Sequence, residues 1–175
     1  MRLPAVFERH RLAIDARLRA ELCNRKLPLY TMMQYHLGWV DPEGRPTGEG
    51  EGKALRPTLC LLSCEAVGGD PCDALPAAVA VEAVHNFSLI HDDIQDGDAE
   101  RRHRPTVWRI WGEPQAINAG TAMHVLAVLA LLNTTDVKTN DAKLLESVRI
   151  LENACLRLIE GQYLDISFEG RLDVT

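Results

Sequence analysis

The chain has 175 residues, 46% of them hydrophobic and 25% charged, a globular composition sized for one domain with its own core. A net charge of −6 and a pI near 5.5 exclude nucleic acid as a natural partner, since a basic face would have to supply the attraction. The five cysteines (Cys23, Cys60, Cys64, Cys72, Cys155) are an odd number without a CxxC pair. They read as reduced thiols in a cytoplasmic setting; Cys60 and Cys64 lie one turn apart, but no further ligand stands at a zinc spacing.

In chain order, "FERHRLAIDARLRAEL" (Phe7–Leu22) predicts an amphipathic helix with Phe7, Ile14, Leu18 and Leu22 on one side. Its charges run throughout, so it lacks the apolar core of a signal peptide. A second helix is expected within "PLYTMMQYHLGWV", followed by a break at "DPEGRPTGEGEG" (Asp41–Gly52), a mobile or ligand-facing loop. "RPTLCLLSCEAVGG" carries Pro57 near a helix start and Gly68–Gly69 at its end. A long apolar helix follows over about Asp73–Asp93, then another in "EPQAINAGTAMHVLAVLALL", and a last one from about Asp141. The longest apolar run, Ala122–Leu132, is too short to cross a bilayer, so stable membrane insertion is not expected. Long helices, apolar over much of their circumference, predict an all-α bundle.

The chemistry concentrates in "LIHDDIQDGDAERRHRPTVW" (Leu89–Trp108), where Asp92, Asp93, Asp96 and Asp98 precede Arg101, Arg102 and Arg104. Asp92 and Asp96 are one turn apart, with Asp93 beside them, and Gly97 ends the turn. Aspartates at a helix C-terminus oppose the helix dipole, so the bland reading, a solvated acidic end, leaves that cost unexplained. A hard-cation site explains it: carboxylates without imidazole or thiolate suit Mg2+, which keeps waters and bridges to phosphates. Guanidiniums match phosphate oxygens. Lys53 and Arg56 in "EGKALRP" add cations at a helix start, and His85 lies two turns before Asp92 on the same face, either as a core histidine or as a phosphate contact. A magnesium-bridged diphosphate, a second anion site and an apolar wall together describe isoprenoid diphosphates as substrates.

These segments resemble the trans-isoprenyl diphosphate synthases of the polyprenyl synthetase family. "HDDIQDGD" is similar to the family's first aspartate-rich motif DDxxD, "EGKALRP" to GGKxxRP, "RRHRPT" to RRGRPT and "EGQYLDISFE" to the GQxxD helix, in matching order over nearly the whole chain. The resemblance implies an antiparallel bundle of the isoprenoid synthase type and a prenyltransferase joining isopentenyl diphosphate to an allylic prenyl diphosphate. It implies that Asp92 and Asp96 bind Mg2+, that Asp93 assists, and that Arg101 contacts the allylic diphosphate. Lys53, Arg56, His85 and Arg102 would bind isopentenyl diphosphate, with Gln162 and Asp165 lining the same cavity. Phe87 and Ser88, five and four residues before Asp92, would set product length in the C15–C20 range, unless Phe87 merely packs between helices. A homodimer is also implied.

Three departures stand out: Glu51 and His103 where the family has Gly, and Thr121 where it often has Asp. The chain also ends at "FEGRLDVT", before any second aspartate-rich motif. The expectation is therefore the N-terminal portion, residues 1–175, of a single all-α domain, weak or dead in catalysis alone. A non-catalytic regulatory subunit and a terpene cyclase are the alternatives; the cyclase is disfavoured because it has no isopentenyl diphosphate to hold.

Overall fold

The computed structural model describes residues 5–47, 52, 54–133 and 140–171. The chain divides into two compact units, residues 1–138 and 139–175. The first holds α1 (Ala5–Cys23), α2 (Pro28–His36), α3 (Leu55–Ala66), α4 (Pro71–Gln95), α5 (Val107–Trp111) and α6 (Glu113–Leu132), with a two-stranded hairpin of β1 (Glu100–Arg101) and β2 (Arg104–Pro105) between α4 and α5. The second holds α7 (Asp141–Phe168). The all-α expectation holds, and the hairpin is an addition to it.

Helix α4 is the axis of the first unit, packing most extensively on α6 and α3. Pro71 opens it and the Asp70 carboxylate caps it, accepting from the Cys72 amide at 2.9 Å, so it begins two residues before the expected start. Its buried face (Ala78, Val79, Ala80, Ala83, Phe87, Ile90) meets a face of α6 made largely of small residues: Ala116, Ala119, Gly120, Met123, Ala127 and Ala130. Small side chains at three- and four-residue spacing let the two helices approach closely. On α1 the buried positions are His10, Ile14, Leu18 and Leu22, whereas Phe7 is only half-buried. His10 is tolerated inside because its Nε2 accepts from the Arg9 guanidinium at 2.9 Å, which also donates to Glu65 of α3 at 2.7 Å.

One expectation gains detail and one is corrected. First, the loop after α2 contains a built turn: over residues 41–47 the Asp41 carboxylate accepts from the Glu43 and Arg45 amides and pairs with the Arg45 side chain at 2.6 Å, and Val40 bridges Pro46. An aspartate folding back on its own following amides builds a turn that a Gly/Pro count does not reveal. Second, α6 runs 20 residues from Glu113 and is, by length and composition, long and apolar enough to cross a membrane, contrary to the reading of Ala122–Leu132 alone. Its small-residue face is nonetheless buried against α4, the position of a core helix.

In the second unit, Asn140 caps α7 by accepting from the Lys143 amide at 2.9 Å, and the helix continues unbroken through "GQYLD".

Gly120 is where the α4–α6 packing is tightest. A Cβ built there would lie 2.4 Å from Nε2 of His91, the ring that sits 3.3 Å from the Ile117 carbonyl. Helix propensity alone credits Gly→Ala with up to about 1 kcal/mol of stabilisation. Overpacking costs roughly 1–3 kcal/mol and should win. Gly120→Ala is expected to lower the urea midpoint of unfolding; a raised midpoint would show that His91 swings aside at no cost.

Candidate functional site

The helical geometry of α4 persists through the aspartates. Asp96 keeps right-handed helical angles and its amide donates to the Asp92 carbonyl at 2.8 Å, after which Gly97, at φ +69°, turns the chain away. Asp92 and Asp96 therefore share a face of the last turn, Asp92 half-buried and Asp96 exposed. Burial, and then the Asp96 charge, push the Asp92 carboxyl above the usual carboxylate range, with Arg101 and His91 pulling the other way. Among the described residues neither carboxylate accepts a hydrogen bond from a side chain. Two oxygen donors in like-charge repulsion, at the negative end of a helix, fit a hard divalent cation and suit Mg2+ better than zinc.

Asp93 behaves differently. It is 1% exposed, and its Oδ1 accepts from Arg101 Nε at 2.6 Å. Its backbone carbonyl accepts from the Asp98 amide at 2.9 Å, tying the helix end to the start of the hairpin.

The hairpin sorts the arginines. Arg101 pairs with Arg104 across the two strands, so Arg102 and His103 form the two-residue turn, both with positive φ (54° and 62°). That conformation belongs to the tight hairpin turns usually made by Asn-Gly, and each residue with a Cβ there carries about 1–2 kcal/mol of strain. His103 thus occupies a position where the Gly of the family pattern has a physical reason. The strain is held by contacts around it: the Tyr35 hydroxyl donates to the Pro105 carbonyl at 2.8 Å, and Arg104 donates to the Val40 carbonyl at 2.9 Å while its guanidinium lies 4.1 Å from the Tyr35 ring centre. The Thr106 hydroxyl and the Trp108 indole N–H both donate to the Asp98 carbonyl at 2.8 Å. Arg101 is thereby committed to Asp93, while the guanidinium of Arg102 lies beside Gly52.

Arg102 opens on a cavity of about 430 Å³ lined by Gly52, Ala54, Leu55, Arg56, Glu82 and His85. Arg56 stands on the first turn of α3, and its Nη1 is 3.1 Å from Nε2 of His85. A guanidinium only donates, so Nε2 accepts and His85 is neutral with its proton on Nδ1. Burial, then the charges of Arg56, Arg102 and Arg101, depress its pKa to about 4. A second cavity of about 320 Å³ lies under the hairpin, lined by Tyr35, His36, Asp93, Arg101, Arg104 and Thr106 among others. His36 there has an unpartnered Nε2 among the described residues, and burial followed by Arg102 and Arg101 lowers its pKa to about 3.

Arg56, His85 and Arg102 are thus brought together as the sequence implied. Lys53 and Glu51 lie outside the described residues. Gln162 and Asp165, three residues apart, share a face of α7 in the second unit. Phe87 is buried between α4 and α6, its ring 5.6 Å from that of His91 and 5.1 Å from that of His124, and the Ser88 hydroxyl donates to the His85 carbonyl at 2.9 Å. Sequence reasoning missed Glu82, Tyr35 and His36. Glu82 lies three residues before His85, a spacing that shares its face and could have flagged it; the other two are brought in only by the packing of α2 on the hairpin.

The polyprenyl synthetase family model matches residues 45–175. A (2E,6E)-farnesyl diphosphate synthase of Mycobacterium bovis is 48% identical over 143 residues, covering 82% of this chain and 38% of that protein. A geranylgeranyl diphosphate synthase of Mycobacterium tuberculosis is 42% identical over 171 residues, covering 98% and 48%. Among solved structures, a polyprenyl synthetase from Streptomyces coelicolor A3(2) superposes with a TM-score of 0.89 at 44% identity, over 98% of this chain and 49% of that one. The chain spans less than half the length of these curated relatives.

The neutral state of His85 is open to measurement. Its folded value lies below the ordinary 6.5, so between about pH 6.5 and about pH 4 the unfolded chain binds a proton that the folded chain does not. This histidine therefore withdraws stability as pH falls through that window. By NMR its ring should titrate near pH 4 in the ligand-free protein, and added inorganic pyrophosphate should raise the midpoint. A midpoint at 6.5 in the free protein would contradict the Arg56 contact.

Proposed function

The chain belongs to the polyprenyl synthetase family, and we propose that the protein is a magnesium-dependent prenyltransferase that condenses isopentenyl diphosphate with an allylic diphosphate to give a short-chain product of C15–C20. The observation that carries this reading is that one hairpin sends Arg101 to Asp93, beside the Asp92–Asp96 face at the end of α4, and its neighbour Arg102 to the cavity of Arg56 and His85. Relatives named as farnesyl and geranylgeranyl diphosphate synthases support the chain-length range.

In this proposal Asp92 and Asp96 hold Mg2+, which supplies charge neutralisation to a diphosphate as it leaves. The terminal N–H groups of Arg101 meet the same leaving group, where its charge grows. Arg56 and Arg102 hold the diphosphate of isopentenyl diphosphate, and His85 donates to it. The bond from allylic carbon to diphosphate oxygen breaks, the isopentenyl double bond attacks the cation, and a proton is lost to complete the new double bond. Phe87 and Ser88, buried on α4, are assigned to setting product length on the motif match alone. Lys53 belongs with the isopentenyl diphosphate ligands, and Gln162 and Asp165 with the same substrates, on the motif match alone. We place the protein in the cytoplasm as a homodimer; Ile117, Val125 and Leu132 of α6, all exposed, give an apolar stripe suited to a second copy.

Binding tests this more directly than turnover. Calorimetric titration with geranyl thiodiphosphate, a non-reacting allylic analogue, should show uptake in Mg2+ that EDTA abolishes. Asp92→Asn and Asp96→Asn should each weaken it about tenfold or more, as expected for loss of a charged contact. Uptake of equal strength without magnesium would remove the proposal.

A further inference from the structure

The four aspartates at the end of α4 are not equivalent, and the difference assigns a role to Asp93. A metal ligand needs an accessible oxygen, yet Asp93 is 1% exposed. One of its oxygens accepts from Arg101 Nε at 2.6 Å, and the other is sequestered without a partner among the described residues. A helix turns about 100° per residue, so Asp93 points a quarter-turn or more away from its neighbour Asp92. A carboxylate this buried is costly unless it is paired, and one charge-assisted bond is its only pairing among the described residues.

Arg101 is the beneficiary. Its side chain is 29% exposed, and the bond to Asp93 uses the Nε–H alone, leaving both terminal nitrogens as donors. Its charge acts on Asp92, on His85 and on His36, so it is the cation shared by the two anion sites. An arginine has several rotatable bonds; one short contact at Nε, close to the end of the stem, fixes the plane of the fork. The backbone reinforces this, because the Asp93 carbonyl accepts from Asp98 and the hairpin register sets Arg101 opposite Arg104.

We infer that Asp93 is a positioning residue: it holds the Arg101 guanidinium in place for the allylic diphosphate and is not itself a ligand to the cation. This rests on the proposed reading of Asp92, Asp96 and Arg101. The second aspartate of the DDxxD run then serves an arginine eight residues downstream, and the first and third serve the metal.

The test is a mutant cycle read with inorganic pyrophosphate at varied Mg2+. Asp93→Asn should weaken pyrophosphate binding at saturating magnesium about tenfold, the scale of one charged hydrogen bond. The magnesium concentration giving half-maximal binding should stay at the wild-type value, whereas Asp92→Asn should raise it. In an Arg101→Ala background, Asp93→Asn should add less than about twofold, because the group it positions is gone. An additive loss, or a raised magnesium requirement for Asp93→Asn, overturns the assignment. A measurement on the unaltered protein covers the case in which Asp93→Asn does not fold. The Arg101 Nε–H, identified by its loss in Arg101→Lys, should stay protected from solvent exchange when Mg2+ is added; loss of protection on magnesium alone would put Asp93 on the metal. If the wild type takes up no pyrophosphate at any magnesium concentration, the underlying function fails and this role with it. If it does and Asp93→Asn binds as the wild type does, only the positioning role fails.

Discussion

The constraint from which the rest follows is the repulsion among carboxylates gathered at the negative end of a 25-residue helix. Helix dipole and like charge both oppose them, and burial, then the charge of Asp96, lifts the half-buried Asp92 above the usual carboxylate range. The fold relieves only part of this. Asp93 is buried and matched by Arg101, while Asp92 and Asp96, one turn apart, are left facing outward. A terminus built for stability alone would have placed a cation against that pair, and the hairpin that begins four residues after Asp96 has the arginines to do so. It directs them elsewhere.

That direction is the work of a two-residue turn in an unfavourable conformation. With Arg102 and His103 both at positive φ, adjacent arginines leave the hairpin toward different partners: Arg101 to Asp93, Arg102 toward Gly52 and the cavity of Arg56 and His85. Four independent contacts, from Tyr35, Arg104, Thr106 and Trp108, hold the hairpin in that state. Strain kept in place by surrounding structure at a charged site is the pattern found where geometry matters more than stability. The neutral imidazole of His85 fits the same logic. It accepts from Arg56, which holds that guanidinium and the ring together in the cavity that Arg102 also lines.

The helices were legible because their signals are local. Three- and four-residue spacing on α1, Pro57 in the first turn of α3, and Gly97 after the aspartates each act within a turn of the chain. The face shared by Asp92 and Asp96 followed from helix geometry alone. What was not legible depends on packing between distant segments. Nothing in "RRHRPT" signals a hairpin, because Arg-His lacks the turn chemistry of Asn-Gly; the turn exists because Tyr35, 70 residues earlier, reaches the Pro105 carbonyl. Spacing set Asp93 beside the Asp92–Asp96 pair and the resemblance gave it an assisting part, but its burial and its bond to Arg101 could be read from neither. Phe87 was expected either to floor a cavity or to pack between helices, and spacing alone could not show that its ring meets those of His91 and His124.

The geometry also bears on which of the related chemistries the site serves. A cyclase handles one diphosphate, and a single acidic face with one arginine would suffice for it. Here a second group of cationic and imidazole side chains is assembled from α3, α4 and the hairpin around a cavity of its own, about 430 Å³ in volume. Burial first, and then the gathered charges of Arg56, Arg102 and Arg101, drive the pKa of His85 down to about 4. Arg101 adds its field to both sites. Guanidiniums gathered in this way are relieved by an anion, and charge centres sharing one arginine are what the proposed condensation, with two diphosphates held at once, would need.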